Sequence, residues 1–451
     1  MPRGQGGTLS GFKPLSTPSQ PTNFSVNLLV NSACVTFSPP SDEGDASVTS
    51  FVITSIDNNT GESTGVTCTS SPISIPIDEN TGPFKVRVQA INNFGPGRLT
   101  EFASVDPTSK SLWGWGSGGG LPLNQSGVSP SSPVQVGALS DWYKLGQGTQ
   151  PGGAIKNNGT LWMWGGGGCG RIGDNTTISK SSPVQIGALT NWCMLSLAFT
   201  RHAIKTDGTL WGWGSNCIGQ IGDNTTISRS SPVQIGSCCD WVQVNYSRAI
   251  KTNGTLWAWG SNSCGQLGQN NTVNTSSPVQ VGALTNWAQI EGGYTNASVK
   301  TDGTLWTWGS NGEGVMGDGT AVSKSSPVQI GALTNWKQVA RGIHTSAVKT
   351  DGTLWAWGSN CYGGGLGDNT TISRSSPVQI GFCTDWVFVT NDIWGAAAIK
   401  TNGTAWSWGR GFTGRIGNNS AIWRSSPVQV IGTNIWVDIS GHNDSPVALS
   451  R

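Results

Sequence analysis

Apolar and polar residues alternate along this chain in short runs, and glycine, asparagine and aspartate separate the runs. A period of two is the mark of half-buried β-strands. Between residues 21 and 106 the segments "SACVTFSPP", "VTSFVITSID", "PISIPID" and "PFKVRVQAIN" each read as one such strand. About seven strands in under a hundred residues predict a small β-sandwich. The Gly/Ser/Pro-rich residues 1–20 read as a flexible arm and 107–111 as a linker.

From residue 112 to 451 the pattern repeats itself. The first Trp of a W-x-W-G motif falls at 113, 162, 211, 257, 306, 355 and 406. "SSPVQ" follows each motif, and then a third Trp, at 142, 192, 241, 287, 336, 386 and 436. In "AIKTDGTLWGWG" an Asp-Gly pair divides two alternating apolar runs, which predicts a tight hairpin on a primed turn with positive φ at both turn residues. Beyond the turn, residues i and i+2 point the same way, so the two tryptophans share a face, with a small residue between them for close packing. Each unit offers about four short strands and one aromatic face that a neighbouring unit must cover. Seven such units predict a seven-bladed β-propeller over 112–451. The first repeat lacks the hairpin before its W-x-W-G, and "IWVDISGHNDSPVALSR" at the end supplies the missing strands. Closure of the ring by the C-terminal strands is therefore expected.

Composition narrows the functional classes. Gly 65 and Trp 23 with only 11% charged residues suit a turn-rich all-β protein. The net charge of +2 comes without a basic run, which argues against nucleic acid as a partner. No apolar segment approaches the ~18 residues of a membrane helix, and the first residues lack the apolar core of a secretory signal. No nucleophile, phosphate-loop or zinc motif is present, so no catalytic residue, cofactor or metal is expected. The "GDNTT" loops (Asp174, Asp223, Asp368) read as polar turns. Lys156, 205, 251, 300, 349 and 400 precede the hairpin turn, and Lys180, Arg229, Lys324, Arg374 and Arg424 precede "SSP". Both sets read as solvated rings. Cys217 and Cys361 occupy one repeat slot, Cys238 and Cys383 another, and the paired gain suggests disulfides Cys217–Cys238 and Cys361–Cys383. Coincidence of small thiols is the alternative.

Two resemblances follow from these motifs. "PFKVRVQAINNFGPG" resembles the late strands of fibronectin type III modules, with Phe84, Val86, Val88 and Ala90 at that family's inward positions. "L-W-x-W-G-x-N-x-x-G-Q-L-G-D", seen at 210–223 and 256–268, resembles the regulator-of-chromosome-condensation (RCC1) family, which implies a seven-bladed propeller. That family's "G-x-x-H" segment survives at Gly342/His344 and Gly441/His442 and is eroded in "NYSRAIK" and "GGYTNASVK".

Residues that break the repeat are the better interaction candidates: Trp394, Trp423, Arg410, Phe412, Tyr362 and Arg424, all in the last two repeats. A sandwich joined to a rigid ring, without enzyme motifs, suggests a bacteriophage virion protein made in the host cytoplasm. In that reading it is a tail fibre or host-contacting appendage. Its arm and sandwich meet other virion proteins, and its propeller meets a host surface protein or polysaccharide. A head or neck decoration protein is the close alternative. The RCC1 resemblance implies another, a small-GTPase exchange factor or a protein inhibitor.

Overall fold

A computed structural model describes residues 15–29, 32–76, 83–106, 108–117, 129–148, 152–198, 200–361, 363–441 and 445–451. The chain forms two compact units, residues 1–108 and 109–451. Among the described residues both are all-β, with 3-10 turns as the only helical segments.

In the first unit one sheet has the order Thr22–Leu29, Ser32–Ser38, Ile73–Pro76. The other runs Ser63–Cys68, Ser50–Asp57, Phe84–Asn92, Gly95–Leu99, with Ala103–Val105 also paired to the central Phe84–Asn92. Alternation along Phe84–Asn92 puts Phe84, Val86, Val88 and Ala90 inward, where they join Phe37, Phe51 and Ile53 in one core.

Among the described residues the second unit contains seven sheets. Six are built from four strands of one repeat. Trp241–Asn245, Arg248–Lys251, Leu256–Gly260 and Thr275–Gln280 exemplify them and are called strands A, B, C and D. Gln147–Gly148 of one repeat adds a parallel fifth strand to the next repeat's sheet at Trp192–Leu197. The remaining sheet joins the two ends of the unit. Ser111–Gly114 pairs on one side with Val134–Gln135 and on the other with Val447–Ser450, which pairs with Trp436–Ser440. Neighbouring sheets pack in sequence order, and Trp436–Ser440 packs against both Gly395–Lys400 and Trp142–Leu145. The circle is closed, with this composite blade as the first of seven. The A strands of successive blades touch one another, whereas the D strands are half-exposed. A strands therefore lie nearest the axis and D strands on the rim.

The hairpin between B and C differs from the expected primed turn. Gly208 has φ +76° while Asp207 stays in the ordinary region. Gly208 N–H donates to Lys205 C=O, and Lys205 N–H donates to Thr209 C=O. This is a three-residue loop, a type I turn followed by a left-handed glycine that makes a bulge. Asp207 stabilises it through Oδ1, which accepts from Thr209 N–H and Oγ1–H. A side chain at Gly208 would meet Cys239 C=O at 2.2 Å.

Candidate functional site

The repeated residues are consumed by the ring. In each blade the A-strand Trp packs beside the W-x-W pair; Trp287, for example, lies 6.1 Å from Trp306 and 5.9 Å from Trp308. The second W-x-W tryptophan crosses the blade boundary: Trp213 Nε1–H donates to Arg171 C=O at 3.1 Å, and Trp259 Nε1–H to Gln220 C=O at 2.9 Å. On the rim, Asn175 N–H of the "GDN" turn donates to Ser230 C=O of the next blade's "SSP".

The hairpin lysines are not a solvated ring, whereas the rim cations stay partly exposed. Five of the six hairpin lysines are buried, and Lys251 is partly so. Each lies over two indoles, and the residue before the A-strand Trp sets its position. Where that residue is Asn, the ammonium lies 3.7–3.8 Å from the first W-x-W ring (Lys205, Lys300, Lys349). Desolvation then lowers the lysine pKa. Where it is Asp, the ammonium moves to 4.4–5.1 Å (Lys156, Lys251, Lys400) and pairs with Asp141, Asp240 or Asp385. Those pairs raise Lys251 and Lys400 despite their desolvation. A cation held between indole faces is stabilised by their quadrupoles, which explains how so many lysines are tolerated here. In the rim set, Lys180, Arg229 and Arg374 pair with Asp174, Asp223 and Asp368. Arg424 stands opposite Asn418, which takes the place of that aspartate, and no bridge forms.

Around the axis, in five of the seven blades, a side chain two residues after the A-strand Trp hydrogen-bonds the backbone of the next blade. Gln338 Nε2–H donates to Val389 C=O at 2.7 Å and its Oε1 accepts Val389 N–H at 2.8 Å. Gln289 clamps Val339 in the same way. Gln243 accepts Ile290 N–H, Met194 Sδ accepts Val244 N–H, and Asp438 accepts Leu145 N–H across the closure.

What the repeat does not use gathers on the face formed by the A–B turns and C–D loops. Lys110 and Arg451 lie on the opposite face, with the B–C hairpins: Lys110 N–H donates to Ser140 C=O and Arg451 N–H to Ile435 C=O. Near the axis a cavity of about 360 Å³ draws its walls from blades 3 to 7, with Ile218, Trp259, Ile343 and Ile393 as apolar lining and Arg248 and Arg341 as cationic lining. Arg248 is buried, and its guanidinium donates to Gln266 C=O and Gly293 C=O. Arg341 packs so close to Gly293 that a methyl group there would fall 2.2 Å from its guanidinium. Burial pushes Arg248 down to about 9, with repulsion from Arg341 adding to it. Desolvation raises the nearby Glu291 carboxyl to about 8, although a hydrogen bond from Asn245 and the charge of Arg341 pull the other way. Tyr294 at the mouth is exposed, and Tyr246 holds φ +53°, a strained value for an aromatic residue.

Beside Ile393, four of the sequence candidates come together. The Arg410 guanidinium lies 4.7 Å from the Trp394 ring and 4.6 Å from the Phe412 ring, and Phe412 meets Trp423 edge-on at 5.5 Å. Phe412 and Trp423 are 48% and 42% exposed, so this column ends in water. Arg424 follows Trp423 on the rim. Tyr362 and His442 lie outside the described residues.

The disulfides are not present: Cys217, Cys238, Cys361 and Cys383 are free and exposed. Cys361 follows the outward end of Leu354–Gly358, whereas Cys383 accepts a hydrogen bond from Lys400 Nζ at the hairpin end. A strand's length of roughly 17 Å separates the partners, beyond the ~7 Å between Cα atoms that a disulfide spans. The paired gain reflects two blades that share variants of both loops. Sequence reasoning missed the cavity arginines, yet a signal existed. Tyr246, Arg248 and Tyr294 sit in the two segments where "G-x-x-H" is eroded, and Arg341 immediately precedes the surviving Gly342.

Residues 207–248, 253–298 and 302–348 match the family of the regulator of chromosome condensation (RCC1) repeat. A comparison with curated proteins finds no match. Among solved structures, human WBSCR16 is similar at 17% identity and TM-score 0.66, covering 76% of this chain and 98% of that one. Yeast RCC1 (Prp20), solved bound to Kap60, is similar at 17% and 0.65, covering 76% and 89%. Prp20p from Saccharomyces cerevisiae, described with its binding to Gsp1p and histones, is similar at 19% and 0.64, covering 76% and 92%. The chain carries RCC1 repeats, and its second unit folds as an RCC1-like propeller.

Proposed function

We propose that this chain is a non-enzymatic binding protein whose ring presents its A–B face to a protein partner. The Trp394–Arg410–Phe412–Trp423 column carries the reading. Neither the W-x-W core nor the axial clamps require it, and half-exposed aromatics stacked on arginine are typical interface anchors. Support also comes from the similar yeast propellers, whose descriptions name Kap60, Gsp1p and histones as bound proteins. This favours a partner of RCC1 type, such as a small GTPase, over the virion appendage.

Surface plasmon resonance of the full chain against Gsp1p and core histones tests it. Saturable binding, weakened at least tenfold by Trp394→Ala with Trp423→Ala at unchanged melting temperature, supports the reading. Binding untouched by the double variant removes the column from the interface, and no binding to either protein removes the RCC1-type partner. The virion appendage is the second reading, favoured by the joining of a sandwich of fibronectin type III pattern to a ring. Peptides of this chain in purified phage particles would establish it.

A further inference from the structure

The cavity at the mouth of the axis has the composition of a binding site. It lies at the lower end of the 300–1,000 Å³ typical of small-molecule pockets. Much of its wall is apolar, which selects a compact hydrophobic body over a sugar or a free inorganic ion. Its polar lining includes the neutral Thr200, Gln220, Ser247 and Gln266, and its two cations, Arg248 and Arg341, both approach Gly293. Arg248 is 4% exposed, and its Nε–H finds no acceptor among the described residues; Arg341 Nε–H likewise has none. A buried donor on a charged group without a partner costs free energy unless a ligand supplies the acceptor. Guanidiniums stay protonated at neutral pH, and their planar fork matches a carboxylate. The nearest acid, Glu291, is held by Asn245 and forms no ion pair with either arginine among the described residues.

We infer that this cavity binds a carboxylate carried on a compact apolar or aromatic body, with Arg248 and Arg341 taking the anion and Trp259, Ile218 and Ile343 taking the body. The source is either a free organic acid or the C-terminus of a partner protein ending in a hydrophobic residue. The inference stands on the cavity and does not depend on the Trp394 column.

Isothermal titration of the full chain tests it with three probes: 3-phenylpropionate, its neutral amide, and acetyl-Ala-Ala-Phe with a free carboxylate. At least one acid should bind about ten- to a hundredfold more tightly than the amide, as loss of a charged hydrogen bond implies. Arg341→Gln should abolish that preference. If that variant melts early, Ile218→Trp, at a partly exposed wall position, should block binding by filling the cavity. Tighter binding of the free acid assigns a small-molecule ligand; tighter binding of the peptide assigns a chain terminus. Equal binding of acid and amide, binding unaffected by Ile218→Trp, or no binding of either acid at millimolar concentration overturns the inference.

Discussion

The axial clamp offers the sharpest test of how the ring is held together. Gln338 satisfies both the N–H and the C=O of Val389, a fully buried residue of the next blade. Gln338→Leu keeps much of the side-chain volume and orphans both groups. Each buried polar group left without a partner costs about 1–3 kcal/mol, so a loss of about 2–6 kcal/mol is expected for the two. Gln338→Met follows a substitution the ring already contains, since Met194 stands at the equivalent position and accepts Val244 N–H through sulfur at 3.2 Å. Methionine retains an acceptor and loses the donor, so its cost should be about half that of leucine, roughly 1–3 kcal/mol. Urea unfolding followed by tryptophan fluorescence measures both. Every one of the 23 tryptophans lies at or beyond residue 113, so the signal comes from the second unit alone. Equal losses for Met and Leu, or losses below about 0.5 kcal/mol for both, would mean that packing and not the amide pair sets the cost.

Three further outcomes follow from the same geometry. Asn335→Asp should draw Lys349 away from the Trp355 ring, from 3.7 Å toward the 4.4–5.1 Å of the Asp-bearing blades, and raise the ammonium pKa; a crystal structure and ¹⁵N titration of the Nζ group would read it. His202 and His344 are buried, and desolvation lowers them to about 4 and about 3. The unfolded chain then binds more protons below pH 6.5, so stability falls on acidification. His202→Gln should remove about 2 kcal/mol of that loss between pH 6.5 and 4.5, and an unchanged pH profile would refute the assignment. Deleting residues 436–451 removes two strands of the first blade, with buried Trp436, Ile439, Val447 and Leu449, and opens the circle. The variant should lose its cooperative fluorescence transition, whereas deletion of residues 1–14 should leave the transition in place.

How much of this was legible depends on how locally each feature is encoded. The tryptophan faces and the four-stranded units were readable because periodicity within twelve residues fixes which side chains share a face. The same periodicity gives no depth, and so the hairpin lysines were mistaken for a solvated ring: nothing in "AIK" says that two indoles will close over the ammonium. The disulfides failed for a related reason. Repeats align Cys217 with Cys361 and Cys238 with Cys383, but alignment reports equivalent positions and not proximity, and a full strand separates each proposed pair. The aromatic column was found because Trp394, Arg410, Phe412 and Trp423 depart from their repeat slots within about thirty residues of one another. The cavity escaped because its walls come from turns of five blades, from Ile218 to Ile393, which only closure of the ring brings together. In a protein built from near-identical units, the shared residues describe the scaffold. A site assembled across units has to be sought where several units lose the same shared residue, as the displaced histidine segments around Arg248 and Tyr294 show.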